Sequence, residues 1–455
     1  MISTLKSINA KGIVNGKFVP FFLALSLTIS LAIALPICVS HLNFAMFGSV
    51  NILSKPLNIS SVISFYWFLG TGLFPGALFL FWRLTSGRNK KNDSAAIPSS
   101  ANSVSLKNQC VSVIVPAYNE EKNVGKCIEA ILSQDFKGEI EVIVINDGST
   151  DGTSRIASQY PVKIVDLKKN CGKSKALNEG IKIAKGEILI FSDADSQIAS
   201  NAVGLLAEYL EKNKNIDGVA GTVLIHTAQS KRSLLKSFQT IECSIEQEVN
   251  RFLNSLNATV FMCPGSLFAV RKQVTDKVIF SDKSVVEDAD FTIEVLKKSM
   301  KITREPNAKV YTNPHTSLGS WYRQRKRWWY GYLQLWKIHR KWAIKKPLMV
   351  LNYLSFVASL FSLGLLLSLP FLFSAYGNFG MILLRTVFYC TAPMILFATF
   401  YAPALLGAKK LIPLLIPYSI IYLTIKFLIL SYLYISYILR RGVSVKFGPR
   451  IVKIK

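Results

Sequence analysis

Four long stretches of this chain carry no charged side chain, and they limit the folds open to it more than any other feature. The uncharged stretches are residues 18–40, 56–82, 347–384 and 386–408. A helix that spans a bilayer needs about 20 consecutive apolar residues, so we expect two spans in the first group and further spans in the second. A fifth stretch, 411–439, is long enough but contains Lys426. We expect Lys426 to face protein or water, because a charge at mid-bilayer is costly.

Between the two apolar groups lies a polar block that is large enough for one α/β domain. The chain has 455 residues, of which 50% are hydrophobic, a share too high for an ordinary soluble enzyme. The predicted organisation is two transmembrane helices in 1–83, a Ser-, Asn- and Lys-rich linker in 84–109, the α/β domain in 110–318, a basic and aromatic interfacial helix in 319–346, about three transmembrane helices in 347–439, and a basic tail in 440–455.

Lysine and arginine residues near the first two apolar stretches predict the orientation of the protein. They precede the first stretch and follow the second, whereas the loop between the stretches, 41–59, contains only Lys55. Because cytosolic loops carry the excess of Lys and Arg, we expect a multi-pass protein of the cell membrane with its N-terminus and polar block in the cytosol. Five crossings would put the basic tail outside, so either one C-terminal segment does not cross or the rule fails there.

The formal charge of +27 points to anionic partners. No nucleic-acid-binding motif accompanies this charge, so we expect no nucleic acid partner. Anionic lipid headgroups and an anionic nucleotide explain the charge more simply. The seven cysteines show no metal-ligand spacing, and we interpret those of the polar block as packing residues.

The polar block alternates short apolar runs with stretches of helical spacing, which predicts parallel βαβ units. Strands are predicted at 111–115, 141–145, 162–165 and 188–191, and helices at 123–132 and 173–184. The expected fold class is therefore α/β, with a Rossmann-like, mostly parallel sheet. Ligands bind beyond the carboxyl ends of the strands in such sheets, and the polar clusters 118–120, 147–151 and 193–195 fall at these ends.

Two motifs indicate the chemistry. Asp193 and Asp195 place two carboxylates where a strand ends, and Mg²⁺ or Mn²⁺ held there would neutralise the charge of a departing diphosphate. Gln324, Arg327 and Trp328 share one face of a helix, because positions i, i+3 and i+4 are neighbours. Arginine can hold phosphate oxygens, and tryptophan offers a flat surface to a sugar ring. Together the motifs suggest transfer of a sugar from a nucleotide to an acceptor at the bilayer.

Simpler interpretations exist for both motifs. An acidic turn such as 193–195 can also cap a helix. The stretch 319–346 holds nine Lys or Arg and five Trp, a composition typical of an anchor at a membrane interface. We assign the anchor role to Trp336, Trp342, Lys345 and Lys346, and the site role to Gln324, Arg327 and Trp328.

Six short motifs follow one another between residues 116 and 328. They are Pro116-Ala-Tyr-Asn-Glu120, Asn146-Asp-Gly-Ser-Thr-Asp151, Gly172-Lys-Ser-Lys-Ala-Leu-Asn178, Asp193-Ala-Asp195, Glu287-Asp288 and Gln324-Arg-Lys-Arg-Trp328. This series resembles the membrane-bound family 2 glycosyltransferases, which include the synthases of cellulose, hyaluronan, chitin and poly-N-acetylglucosamine. The resemblance implies a domain of the glycosyltransferase A type that binds a nucleotide sugar.

The resemblance also implies roles for the residues that bind the donor. It makes Asp195 the metal ligand, places Asp193 toward the ribose or metal-bound water, and assigns Tyr118 and Asp147 to the uridine. Lys173 stands at a helix start, where a lysine and the helix N-terminus suit an anion. The resemblance places Lys173 at the nucleotide, and a solvated surface lysine is the alternative.

On the acceptor side, the resemblance makes Asp288 the general base. This carboxylate would take the proton of the acceptor hydroxyl as the oxygen attacks the anomeric carbon opposite the diphosphate, so that configuration inverts. The alternative role for Asp288 is helix capping. Gln324, Arg327 and Trp328 would hold the diphosphate and the acceptor sugar, and the loop around Gly265 falls near the acceptor.

The resulting hypothesis is an inverting, metal-dependent transferase that adds glucose or N-acetylglucosamine from a UDP-sugar to a growing polysaccharide, with export across the membrane. Its partners would be the UDP-sugar, a glycan or lipid acceptor and membrane lipids. One alternative keeps the chemistry but makes a glycolipid on a ceramide- or polyprenyl-type acceptor. A second alternative is a transporter or scaffold that binds nucleotide as a regulator, which leaves the coincidence of Asp195, Asp288 and Arg327 unexplained.

Overall fold

The computed structural model describes residues 109–226, 233–255 and 262–346, scattered positions between 410 and 436, and residues 443–447 and 450–454. The chain divides into two compact units. One unit consists of 1–93, 255–257 and 343–431, and the other consists of 94–254, 258–342 and 432–455. The second unit contains the sheets and the cleft described below.

None of the helices in the described ranges is both long enough and apolar enough to cross a bilayer. The predicted spans at 18–40, 56–82, 347–384 and 386–408 lie outside the described residues, as does nearly all of the linker 84–109. The stretch 411–439 is described only in part. The organisation of these segments therefore stays a prediction.

Four parallel strands form one half of the main sheet, and each matches an apolar run of the sequence. They are β1 (Cys110–Ala117), β2 (Glu139–Asn146), β3 (Lys163–Asp166) and β4 (Ile188–Phe191), in the spatial order β3-β2-β1-β4. The central residues of β1, β2 and β4 are buried, because helices cover both faces of a parallel sheet. This half confirms the predicted parallel strands and brings the carboxyl ends of β1, β2 and β4 to one edge.

The other half of the sheet is mixed, in contrast to the mostly parallel sheet that was expected. It contains β5 (Ser196–Ile198), β6 (Gly218–Ile225), β7 (Phe268–Arg271) and β8 (Ile302–Thr312), and the full order is β3-β2-β1-β4-β7-β6-β8-β5. Strand β7 runs antiparallel to β4 and β6, whereas β6 and β8 are parallel. Local periodicity does not report pairing between such distant segments. Strands β9 (Val443–Phe447) and β10 (Arg450–Ile454) form a separate antiparallel pair.

Helices cover both faces of the main sheet. On one face lie α1 (Val124–Leu132) and α4 (Ala202–Lys212), and on the other lie α3 (Lys173–Ile183) and α7 (Glu287–Lys297). The second face contains stacked aromatic rings, with Phe280 and Phe291 4.3 Å apart and Phe191 and Phe268 4.7 Å apart. Burial of each ring contributes about 1.5–3 kcal/mol. Because Phe191 ends β4 and Phe291 belongs to α7, this cluster fixes the end of β4 relative to the start of α7.

The described residues also form two long helices, α5 (Leu234–Ser255) and α8 (Leu318–Ala343), and two short ones, α2 (Thr153–Ala157) and α6 (Lys272–Thr275). The side chain of Gln239 on α5 exchanges two hydrogen bonds with the backbone of His315, at 3.1 and 2.9 Å. This contact fixes the chain just before α8. Helix α8 covers most of the basic and aromatic stretch that the sequence predicts to be helical.

Candidate active site

A cleft opens at the carboxyl ends of β1, β2 and β4, where the sequence predicts that polar side chains meet. Its volume is about 270 Å³, and its lining comprises Pro116, Ala117, Tyr118, Glu120, Asp147, Asn170, Gly172, Lys173, Asp193, Ala194, Asp195 and Arg327. The four residues predicted to bind the donor, the predicted metal ligand and one arginine of α8 are therefore neighbours.

Asp147 is buried at the end of β2 and fixes the loop that leads into α3. Its Oδ1 accepts a hydrogen bond of 2.6 Å from the Cys171 amide, and its Oδ2 accepts one of 2.8 Å from the Gly172 amide. Gly172 has a φ of 93°, a conformation that glycine adopts without steric cost. The residue expected at the uridine thus borders the cleft and also holds the turn before Lys173.

The ammonium group of Lys173 lies among carboxylates. Its Nζ is 2.6 Å from Asp193 Oδ1 and 2.9 Å from Glu287 Oε1. Burial alone would lower the pKa of this lysine, but the negative charges of Asp193, Glu287 and Asp288 raise it above its usual value, so the side chain is protonated. Lys173 therefore links the end of β4 to the start of α7.

Asp193 and Asp195 follow β4 and supply carboxylate oxygens to the cleft. Asp193 carries the ion pair with Lys173, and Asp195 Oδ1 accepts a hydrogen bond of 3.1 Å from the Ser196 hydroxyl. Loss of contact with water is the main cause that raises the pKa of Asp195, and the negative charge of Asp193 raises it further. Carboxylates that share a small site repel each other, and hard divalent cations prefer oxygen ligands. This donor set therefore fits Mg²⁺ or Mn²⁺.

Asp288 stands in the first turn of α7, and two backbone amides hold its carboxylate. Oδ1 accepts a hydrogen bond of 2.8 Å from the Ala289 amide, and Oδ2 accepts one of 2.8 Å from the Gly265 amide. The pKa of Asp288 is raised to about 6, mainly by burial and in addition by the negative charge of the neighbouring Glu287. The carboxylate is thus oriented by the backbone and is mostly ionised at neutral pH, as a general base requires.

Glu287 is a buried carboxylate beside the cleft. It is 3% exposed, its Oε1 pairs with Lys173, and its Oε2 has no hydrogen-bond partner among the described residues. Burial acts to raise the pKa of Glu287, but the charges of Lys173 and Arg327 lower it below its usual value. Glu287 therefore helps to hold both cations of the cleft.

The side chains of the Gln324–Trp328 segment of α8 lie in two different environments. Arg327 lines the cleft. Trp328 instead stacks on Arg325, whose Cζ lies 4.2 Å from the indole centroid, and Gln324 Oε1 accepts a hydrogen bond from Arg325 Nη1. The structure thus brings Arg327 together with the predicted donor residues and groups Gln324 and Trp328 around Arg325.

A second group of side chains with metal-ligand chemistry lies between α7 and α8. Asp290, Glu294 and His339 have ligand atoms within 4.8 Å of one another. Both ring nitrogens of His339 are engaged, since Nε2 is 2.7 Å from Asp290 Oδ1 and Nδ1 is 2.7 Å from the ammonium of Lys297. The ammonium already supplies a positive charge at this position. We therefore interpret the cluster as a polar link between the two helices.

The family of the domain is established by comparison of sequences. Residues 112–279 match the family model described as glycosyl transferase family 2. The chain contains a family 2 glycosyltransferase domain. The matched range includes Asp147, Lys173, Asp193 and Asp195, whereas Asp288 and α8 follow it.

Curated relatives match about half of this chain. The poly-β-1,6-N-acetyl-D-glucosamine synthase of Staphylococcus epidermidis is 31% identical over 226 residues, which are 49% of this chain and 54% of the relative. The probable glycosyltransferase YdaM of Bacillus subtilis is 28% identical over 272 residues, which are 57% of this chain and 64% of the relative. The chain thus matches between about half and two thirds of the length of these relatives.

One solved structure shares the fold of the family 2 domain. It is a mannosyltransferase from Pyrobaculum calidifontis in complex with GDP-Man and Mn²⁺, with a TM-score of 0.54 and 18% identity, and the match covers 84% of this chain and 100% of that chain. At this identity the likeness concerns the fold alone. The family 2 domain has an α/β fold of the glycosyltransferase A type, with a mixed sheet.

Sequence reasoning gave too little weight to one acidic residue of the family 2 domain. Glu120 lines the cleft, although the sequence places it only within the polar cluster 118–120 and gives it no role of its own. Burial raises the pKa of Glu120 to about 7. A hydrogen bond from Asn123 lowers this pKa, whereas the negative charges of Asp195 and Asp193 raise it. The available signal was its place in the polar cluster directly after β1.

Gly265→Ala is expected to slow transfer without unfolding the family 2 domain. A Cβ built on Gly265 lies 2.9 Å from both Asp288 Oδ2 and Lys173 Nζ, so these two side chains would have to move. Because displacement of about 1 Å in a catalytic site can cost about 100-fold in rate, we expect kcat to fall about 10- to 100-fold. The initial rate of transfer and the thermal unfolding midpoint would be measured together.

Gly319→Ala is the matched control for this change. A Cβ at Gly319 meets only Arg323 Nη1, at 3.5 Å, so kcat should stay at the wild-type value. Equal losses of kcat in the two variants, or no loss in Gly265→Ala, would contradict the tight approach of Gly265 to Asp288 and Lys173.

Proposed function

We propose that the chain is an inverting glycosyltransferase that moves a sugar from a nucleotide diphosphate to an acceptor hydroxyl at the cell membrane. One observation carries this proposal: groups suited to the donor and to the acceptor meet around one cleft. Asp193, Asp195 and Arg327 line it. Asp288 lies beside Lys173 in the lining, since both are 2.9 Å from a Cβ built on Gly265.

On the donor side, residues of the chain hold the diphosphate. A divalent cation on Asp195, with Asp193 beside it, would neutralise charge as the bond between sugar and diphosphate breaks. Arg327 would hold phosphate oxygens through its planar guanidinium, and Lys173 adds a positive charge at the N-terminus of α3. The oxygen donor set supports a cation, and the mannosyltransferase that shares the fold is described in complex with Mn²⁺. Tyr118 and Asp147 border the nucleotide.

On the acceptor side, Asp288 takes the proton of the hydroxyl as the acceptor oxygen attacks the anomeric carbon. The electron pair of the broken bond leaves with the diphosphate, and attack from the opposite side inverts the configuration. Hydrogen bonds from Ala289 and Gly265 already orient the carboxylate. Asp288 can therefore accept the proton without first reorienting.

We favour UDP-N-acetylglucosamine as the donor, with UDP-glucose as the second choice, and a growing polysaccharide as the acceptor. The name of the Staphylococcus epidermidis relative supports N-acetylglucosamine. The apolar stretches on both sides of the domain would anchor it at the cytosolic face of the cell membrane and provide a passage for export of the polymer.

A donor screen on the purified full-length protein tests this proposal. The protein would be incubated with UDP-N-acetylglucosamine, UDP-glucose or GDP-mannose, in the presence of Mg²⁺, Mn²⁺ or EDTA, and nucleotide release would be measured. We expect release from a UDP-sugar with a divalent cation and none with EDTA. Absence of release from every donor would contradict the proposal and favour a regulatory nucleotide site.

The mass of the product separates the two acceptor classes. A ladder of oligosaccharides or a high polymer indicates repeated addition to a glycan, which we expect. A single product that partitions into organic solvent indicates transfer to a lipid, and it would replace the polysaccharide part of the proposal while leaving the chemistry of the cleft unchanged.

The pKa of Asp288 predicts an acid limit for the reaction. Because the raised value is about 6, the carboxylate is ionised above this pH and protonated below it, and only the ionised form can accept a proton. We expect kcat/KM to fall roughly tenfold as the pH drops from about 7 to about 5, and to level off above neutral pH. A reversible profile of kcat/KM against pH would be recorded, and a flat profile across this range would contradict Asp288 as the base.

A further inference from the structure

Arg325 is buried against an acidic side chain of another helix, whereas its neighbours Lys326 and Arg327 are only half-buried. It is 5% exposed. Its Nε donates to Glu242 Oε1 at 2.9 Å, and its Nη2 donates to Glu242 Oε2. A bidentate pair of this kind fixes the orientation of both groups. The charge of Arg325 is therefore balanced by Glu242 on α5, which separates its role from the phosphate contact proposed for Arg327.

The guanidinium of Arg325 also lies over two tryptophan rings. Its Cζ is 4.2 Å from the centroid of Trp328 and 5.4 Å from that of Trp321. The three residues share one face of α8, because they are spaced by four and three positions. Arg325 Nη1 donates a hydrogen bond to Gln324 Oε1. Arg325 thus contacts two of the three α8 residues expected to hold the diphosphate and the acceptor.

We infer, on the basis of the function proposed above, that Arg325 is a positioning residue that fixes Trp328 and Gln324 for the acceptor sugar. A half-buried tryptophan can occupy several rotamers, and stacking on a guanidinium that Glu242 holds in place favours one of them. An indole that is already oriented loses less conformational freedom when a sugar binds to it. The effect of Arg325 should therefore appear in the binding of the acceptor and not in that of the donor.

The test compares Arg325→Met with Arg323→Met, a matched change at an exposed position of the same helix. The purified full-length proteins would be assayed with UDP-N-acetylglucosamine and a β-1,6-linked N-acetylglucosamine trisaccharide. In Arg325→Met we expect the KM for the trisaccharide to rise about tenfold, while the KM for the donor and the release of UDP without trisaccharide change by less than about twofold. All three quantities should match wild type in Arg323→Met.

Two further variants separate positioning from general stability. Arg325→Lys should not rescue the KM for the trisaccharide, because an ammonium can neither form the bidentate pair nor stack as a plane. Glu242→Gln keeps the size of the side chain and removes the charge that orients Arg325, so it should raise the same KM and leave the donor KM unchanged. If Arg325→Met does not fold, Glu242→Gln is the variant that tests the inference.

Fluorine NMR of protein labelled with 5-fluorotryptophan provides a measurement that does not require turnover. With the Trp328 resonance assigned by Trp328→Phe, Arg325→Met should shift or broaden that resonance and Arg323→Met should not. An unmoved resonance, an unchanged trisaccharide KM, or an equal change in the donor KM would overturn the inference. If wild type releases no nucleotide, the proposed function fails, and the resonance still decides whether Arg325 positions Trp328.

Discussion

Replacement of Asp288 by asparagine should abolish sugar transfer while the donor still binds. The amide cannot take up a proton at working pH, and loss of a general base typically costs 10²- to 10⁴-fold, so we expect kcat to fall about 1000-fold. The carboxylate accepts hydrogen bonds from Ala289 and Gly265, and asparagine preserves its shape and one acceptor oxygen. The initial rate with UDP-N-acetylglucosamine and the Kd for UDP would be measured on the same preparation.

Asp282→Asn is the matched control, because it makes the same chemical change at an exposed position shortly before α7. It should leave both the rate and the Kd unchanged. Retention of more than about a tenth of the wild-type rate by Asp288→Asn is incompatible with a general base at this position. A loss of UDP affinity as large as the loss of rate would instead assign Asp288 to the donor.

Replacement of Asp195 by asparagine should remove most of the cation-dependent activity. The change takes one negative charge from the carboxylate pair that follows β4. Because a bound cation supplies several kcal/mol of charge stabilisation, we expect kcat/KM to fall by about 100-fold or more in either Mg²⁺ or Mn²⁺. The affinity for Mn²⁺, measured by electron paramagnetic resonance without any donor, should fall as well.

Asp276→Asn, another exposed position of the domain, controls for a general loss of negative charge. It should bind Mn²⁺ like wild type and retain full kcat/KM. If Asp195→Asn binds Mn²⁺ as tightly as the control does, the cation has a different ligand, and the assignment of the carboxylate pair to the metal is wrong.

The parallel half of the sheet could be predicted because each of its strands corresponds to a short apolar run in the sequence. A strand buried on both faces is a short apolar run, and the run at 188–191 is identical to β4 (Ile188–Phe191). Strand β7 is as short as β4, whereas β6 and β8 have eight and eleven residues, so strand length does not separate the two halves. The strands of the mixed half pair with segments far away along the chain, and β7 runs antiparallel to both of its neighbours, which no local pattern reports. The mixed half of the sheet therefore needed the structure.

The cleft could be predicted for a topological reason, because the carboxyl ends of parallel strands meet at one edge. That rule brings Asp147 and Asp193 together without any knowledge of their contacts. It does not predict that Lys173 pairs with Glu287 on a helix far along the chain.

The α8 motif shows the limit of reasoning from a single helix. Helical spacing groups Gln324, Arg327 and Trp328, but it treats the helix as isolated. The environment of each side chain depends on other elements, and the partner of Arg325, Glu242, lies 83 residues earlier. Sequence reasoning therefore assigned all three residues to one site, although only Arg327 of the three lines the cleft, and it overlooked Arg325, whose guanidinium lies over Trp328.

The anomeric configuration of the first bond formed tests these assignments most directly. UDP-N-acetylglucosamine carries its sugar in the α configuration, and the coupling constant of the anomeric proton in the isolated product reports the new configuration. If Asp288 deprotonates a hydroxyl that attacks opposite the departing diphosphate, the product is β-linked. An α-linked product would contradict a single in-line displacement in this cleft.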